Sequence, residues 1–146
     1  MSAVDAVDAF VARLNTVANV GTVYNQMRNA ITDSQFKQLF VTNGQVLVWQ
    51  VTREGTTERD DESQLVQDTH EIVAYGWMGF QDGVSEPIFQ QLIESIRDAF
   101  RPLESRTFNG AFAWSGPMQC QGPKLVMFTD KLCHYVRLVH PFQELL

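Results

Sequence analysis

Leu132-Cys133-His134-Tyr135-Val136-Arg137-Leu138-Val139-His140-Pro141-Phe142-Gln143-Glu144-Leu145-Leu146 closes the chain and reads as one long strand. Chain ends ordinarily fray, so an end this rich in apolar side chains must be held by the fold or by a neighbouring subunit. Alternation puts Leu132, His134, Val136, Leu138, His140 and Phe142 on one face and Cys133, Tyr135, Arg137, Val139 and Gln143 on the other. Apolar residues stand on both faces, so neither is fully wet. Just upstream, Thr129-Asp130-Lys131 reads as a turn and residues 124–128 as a strand. The closing segment is therefore one arm of a hairpin, and its end beyond Pro141 is the part expected to meet another subunit.

The clearest helix precedes this hairpin. Ile88, Phe89, Leu92, Ile93, Ile96, Ala99 and Phe100 recur at helical spacing and make one apolar face. Ser85 or Glu86 is expected to cap it, Pro87 fits its first turn, and Pro102 stops it. Burying each large side chain is worth roughly 1.5–3 kcal/mol, which makes this helix a main anchor. A second amphipathic helix carries Val4, Val7, Phe10, Val11, Leu14, Val17 and Ala18, is capped by Ser2, and ends near Asn19 to Gly21. An extended piece follows at residues 22–27, and Thr32-Asp33-Ser34 caps a short helix over residues 35–40.

Residues 45–53 and 70–78 read as strands rich in β-branched and aromatic side chains. Between them, residues 54–64 contain no apolar side chain and are mostly polar or acidic, so they are expected to form a mobile acidic loop or binding arm. Asn109-Gly110, Ser115-Gly116-Pro117 and Gly122-Pro123 punctuate a connection that carries exposed Phe112, Trp114 and Met118. The order of elements predicts a single α+β domain over residues 1–146, an antiparallel β-sheet with two main α-helices packed on one face.

Composition narrows the function. The chain of 146 residues is long enough for one core, and ten phenylalanines and three tryptophans supply it with bulk. A net charge of −6 argues against capture of nucleic acid or of an anionic membrane, because each phosphate contact needs a cation. No basic leader and no run of about 18 apolar residues occurs, which gives the expectation of a soluble cytoplasmic chain. The two cysteines, Cys120 and Cys133, are read as reduced.

Catalytic and metal motifs are lacking. The glycine that a nucleophile elbow needs two residues before Ser115 is replaced by Ala113. His70-Glu71 is followed by Ala74 where a second zinc-binding histidine would stand. His134 and His140 lie about 20 Å apart along a strand, too far to share one metal, and His134 is expected to hydrogen-bond within the sheet. Gly76 and Gly79 have no phosphate-loop lysine after them. Asp60-Asp61-Glu62 lacks the apolar surroundings that would raise a carboxylate pKa. No metal or cofactor is expected.

The order of elements resembles that of the small tail terminator, or tail-completion, proteins that join head and tail in tailed bacteriophages. The resembling parts are the N-terminal helix, a strand pair with a long loop around Gly55 to Gln64, and Tyr75-Gly76 leading into the helix at 85–100. They continue in the Gly/Pro-rich passage and the final strand with Leu132-Cys133-His134-Tyr135 and Gln143-Glu144-Leu145. The resemblance implies a non-enzymatic virion protein that forms a homo-oligomeric ring, commonly a hexamer, at the head-proximal end of the tail tube. There it stops tube polymerisation and gives the neck or connector a docking surface. DNA passes through the lumen without specific binding, kept from sticking by the negative charge, and no membrane is involved. Subunit or tube contacts are expected at Arg53, Glu54, Glu58, Arg59, Asp60, Asp61, Glu62, Phe112, Trp114, Met118, Phe142 and Leu145. Arg53 and Arg59 would pair with acids across a subunit boundary. The alternative is a small α+β ligand-binding or enzymatic domain with a pocket between helix and sheet near Trp49, Trp77 and His134.

Overall fold

The computed structural model describes residues 3–30, 32–60, 66–101, 107–108, 112–114 and 117–144. Its elements run α1 (Ala3–Leu14), β1 (Thr22–Tyr24), α2 (Asp33–Phe40), β2 (Val41–Thr42), β3 (Gln45–Asp60), β4 (Val66–Gly79), α3 (Ser85–Phe100), β5 (Thr107–Phe108), β6 (Phe112–Trp114), β7 (Gln119–Phe128) and β8 (Lys131–Glu144). The class is α+β, as the sequence predicts. The open sheet has the order β1-β3-β4-β8-β6-β5, with β2 beside β3 and β7 beside β8. It is mixed rather than purely antiparallel, because β1 runs parallel to β3.

Packing explains why the two main helices share a face. Trp49 and Val51 of β3, Ile72, Ala74 and Met78 of β4, and Val136, Leu138 and Phe142 of β8 point one way. Against them lie Ala6, Phe10 and Leu14 of α1 and Phe89, Leu92, Ile93, Ile96 and Phe100 of α3. Phe10 meets Phe100 at 4.7 Å between ring centroids and Phe142 at 5.8 Å, joining both helices to the last strand. Gly76 lies under the Trp49 ring, where any Cβ would overlap the indole. The Trp49 indole N–H donates to the Val20 carbonyl at 2.8 Å and so ties the chain after α1 to the sheet.

Among the described residues the opposite face is covered only at one end, by α2. Thr32 caps that helix with a reciprocal pair: its hydroxyl accepts from the Gln35 N–H and its own N–H donates to the Gln35 side chain. Phe36 and Phe40 then pack with Val46, Val48, Cys133 and Phe128 into a second, smaller cluster.

Several expectations are corrected. Residues 54–60 are strand, not loop: β3 and β4 pair from Leu47↔Met78 through Thr56↔His70 to Asp60↔Val66, with a register shift between Arg53 and Gly55. Backbone bonds need no apolar side chain, so a polar hairpin arm satisfies its ladder as well as a buried one does. Residues 61–65 lie outside the described residues, as do Ser2 and Pro102. α1 stops at Leu14, and Asn19 and Gly21 have the positive φ of a turn, at 62° and 92°. α3 begins at Ser85 after the N-cap Val84, which makes no side-chain cap bond. Ile88, assigned to the buried face, is 54% exposed. β7 starts at Gln119 and carries Gly122 and Pro123 inside a register shift instead of in a loop.

Candidate interaction surface

The residues expected to mediate contacts fall into separate regions. Arg53, Glu54 and Glu58 are exposed along β3, and Arg59 and Asp60 complete the same strand. Phe112 and Trp114 belong to β6, which pairs with the end of β8 (Trp114↔Phe142, Phe112↔Glu144). The side chains of Arg59, Asp60, Phe112 and Trp114, and the whole of Asp61, Glu62 and Leu145, lie outside the described residues. Met118 is half-buried against the main core, not exposed. Phe142 is fully buried. β8 beyond Pro141 is therefore not a free arm: it is paired on both sides, by β4 and β6, and its phenylalanine fills the space beside Phe10.

On the face not covered by α1 and α3 lies a stripe of half-buried aromatic rings. Phe128 stacks on Trp77 at 4.6 Å, Trp77 meets Tyr135 at 5.5 Å, and Tyr135 faces Tyr75 at 6.3 Å. The stripe follows from β pairing, since Trp77↔Tyr135 and Tyr75↔Arg137 are direct cross-strand partners. Arg137 ends it, 6.0 Å from the Tyr75 ring. Its guanidinium bonds the Glu54 carboxylate, donates to Gln121 Oε1 at 2.9 Å and lies 3.9 Å from Glu71. Glu54 thus has a partner inside the subunit, reached from β3 across β4 to β8. Burial pushes the Tyr135 hydroxyl up from its ordinary pKa, opposed by the Arg137 charge and reinforced by Glu54.

The buried histidines are structural. His134 is bonded to α3 and not within the sheet: its Nε2 lies 2.7 Å from the Ser85 hydroxyl, which accepts from the Gln81 N–H at 2.8 Å. Both side chains are at most 3% exposed, and the pair ties the start of α3 to β8. His70 Nδ1 meets the Thr56 hydroxyl at 2.9 Å, and His140 lies between Phe100 and Phe142. Among the described residues no three His, Cys, Asp or Glu side chains gather in a metal-binding group. Burial raises Cys133 to about 11 and also lifts Cys120, so neither thiol is an activated nucleophile.

A single pocket at Trp49, Trp77 and His134 does not form, because the two tryptophans sit on opposite faces of the sheet. The larger clefts lie elsewhere. One of about 680 Å³ opens between α2 and the sheet end, beside Phe36, Lys37, Phe80 and Leu132. Another, of about 510 Å³, lies at the base of the β3–β4 arm beside Thr56, Glu71 and Pro141.

Sequence reading missed the main exposed apolar surface. Phe80, Val84, Ile88, Leu125, Met127 and Leu132 all remain exposed. A signal was present in Leu125-Val126-Met127-Phe128, an unbroken apolar run in a strand at a sheet edge, where half the side chains must face outward. Among the described residues no helix is long and apolar enough to cross a membrane. No protein-family model matches the chain, and no curated protein matches it.

Proposed function

We propose that this protein is a non-enzymatic structural subunit of a tailed bacteriophage particle, a tail terminator that assembles as a ring at the head-proximal end of the tail tube. In that role it caps the growing tube and presents a surface to the neck. The observation that carries the reading is the pair of free sheet edges on opposite sides of the subunit. Among the described residues β7 pairs only with β8, while β3 beyond Gln50 pairs only with β4. A closed ring requires each subunit to offer two different surfaces, and open edges are strong templates for association.

Two further features support it. The paired β3–β4 arm exposes Thr56, Thr57 and Glu58, polar surface suited to meeting a neighbour. The net charge of −6 suits a lumen through which DNA must slide. The ring is expected to be a hexamer, assembled in the host cytoplasm, with the tube protein below and the neck or connector protein above. Loss of the protein from the phage that carries it is expected to leave tails of uncontrolled length, or tails that never join heads. Particles with normal tails would end this reading.

A further inference from the structure

Among the described residues eight large apolar side chains are exposed, and four of them, Phe80, Leu125, Met127 and Leu132, occupy one region. Leu125 and Met127 of β7 lie directly across from His134 and Leu132 of β8. The Phe80 N–H donates to the Leu132 carbonyl at 3.0 Å, and its ring lies 5.5 Å from that of His134. The result is an apolar patch of four side chains beside β7, whose outer edge pairs with no strand among the described residues. Ile88 lies on the other flank of α3, in a cleft with Ala18, Leu47 and Met78.

We propose that this edge pairs with the same edge of a second copy of the chain, forming a two-fold dimer through antiparallel β7–β7 association. Size argues for a protein of this kind as occupant. At the exposures seen, from 38% for Phe80 to 61% for Met127, the four side chains offer on the order of 350 Å². A stable interface buries roughly 800 Å² per partner, so this patch makes up nearly half of one and the backbone edge beside it adds to that.

Register argues for the second copy. The register shift between Gln121 and Lys124 leaves residues 124–128 as the regular part of β7, with Val126 at its middle. A two-fold axis at Val126 sets Leu125 opposite Met127 of the copy, on the face where both are now exposed. It sets Lys124 opposite Phe128 and so keeps the two Lys124 charges off one another. The outward N–H and C=O groups of both edges are satisfied in one step. Such a dimer would also cover an edge that the ring reading needs, holding free subunits apart from assembly, but it stands on β7 alone and does not depend on that reading.

The test is sedimentation of the full chain over a range of concentrations, combined with amide hydrogen exchange across residues 119–128. The wild type is expected to dimerise, with exchange in β7 slowing at least tenfold as concentration rises. Leu125→Glu/Met127→Glu changes two exposed residues and is expected to stay monomeric, with an unchanged melting temperature and fast exchange in β7 at every concentration. A wild type that remains monomeric near 1 mM, a dimer that survives the double substitution, or a dimer whose β7 exchanges as in the monomer would each overturn the proposal. None of these outcomes bears on tail length, so the dimer and the terminator role fail or stand separately.

Discussion

The two faces of the sheet use aromatic residues in opposite ways. Toward α1 and α3, Trp49, Phe89 and Phe142 are fully buried, with Trp49 stacked on Phe89 at 6.1 Å and its indole N–H bonded to Val20. On the other face Trp77, Tyr75 and Tyr135 stay half exposed, covered among the described residues where α2 and Phe128 reach them. Closure on one side and partial wetting on the other means that fold stability rests on the first face. The second is left able to accept neighbours. The largest test of this difference is a pair of truncations. Trp49→Ala empties a sealed site and is expected to cost about 3–5 kcal/mol, enough to unfold much of the population. Trp77→Ala is expected to cost about 1–2 kcal/mol, because part of that ring is already in water. Chemical denaturation reads both, and equal losses would erase the distinction between the faces.

A smaller effect separates a sealed site on the second face from the margin of the first. Cys133 is buried beneath α2 and raised from 9.0 to about 11, whereas Cys120 on the β7 edge is half-buried. An acid whose pKa is raised on folding stabilises the fold below its ordinary pKa, and that contribution is lost as pH climbs toward the folded value. Stability is therefore expected to fall between about pH 9 and about pH 11, by on the order of 2 kcal/mol from this thiol. Cys133→Ala should flatten that slope, though its stability at neutral pH will be lower. An unchanged slope would show that the thiol does not sense the burial.

Periodicity carried much of this fold, and its failures have specific causes. The helix at 85–100 and the closing hairpin were legible because each holds an apolar face at a fixed period, which sets both the element and its buried side. The β3–β4 arm was not, since Thr56, Thr57, Glu58 and Thr69 pair through backbone groups that leave no mark on hydropathy. Phe142 was misplaced for a different reason: distance from the chain end says nothing of burial once β6 returns to pair with it. Ile88 kept the period of α3 yet stayed exposed, because the helix meets the sheet over a narrower arc than its apolar stripe. The exposed apolar residues were least legible of all. A patch assembled from Phe80, Leu132 and β7 joins separate stretches of chain, brought together by the β8 register.

The mildest perturbation probes the wetter face alone. Arg137 links β8 to β3 through Glu54 and lies over Tyr75, but both charged side chains keep contact with solvent, at 22% and 31% exposure. Screening limits such a pair to about 1 kcal/mol or less, so Arg137→Ala should lower stability by no more than that, and by less still in high salt. Its electrostatic consequence is the sharper readout. Burial already holds the Tyr135 hydroxyl above its ordinary pKa, with Arg137 pulling down and Glu54 pushing up. Removing the guanidinium deletes the opposing charge and leaves Glu54 uncompensated, so Tyr135 is expected to titrate at still higher pH. Ultraviolet absorbance of the phenolate, with Tyr135→Phe to identify the signal, measures the shift. A Tyr135 that titrates at the same pH in the variant would place Arg137 away from the stripe in solution. The second face would then be an aromatic surface without the charge that now ends it.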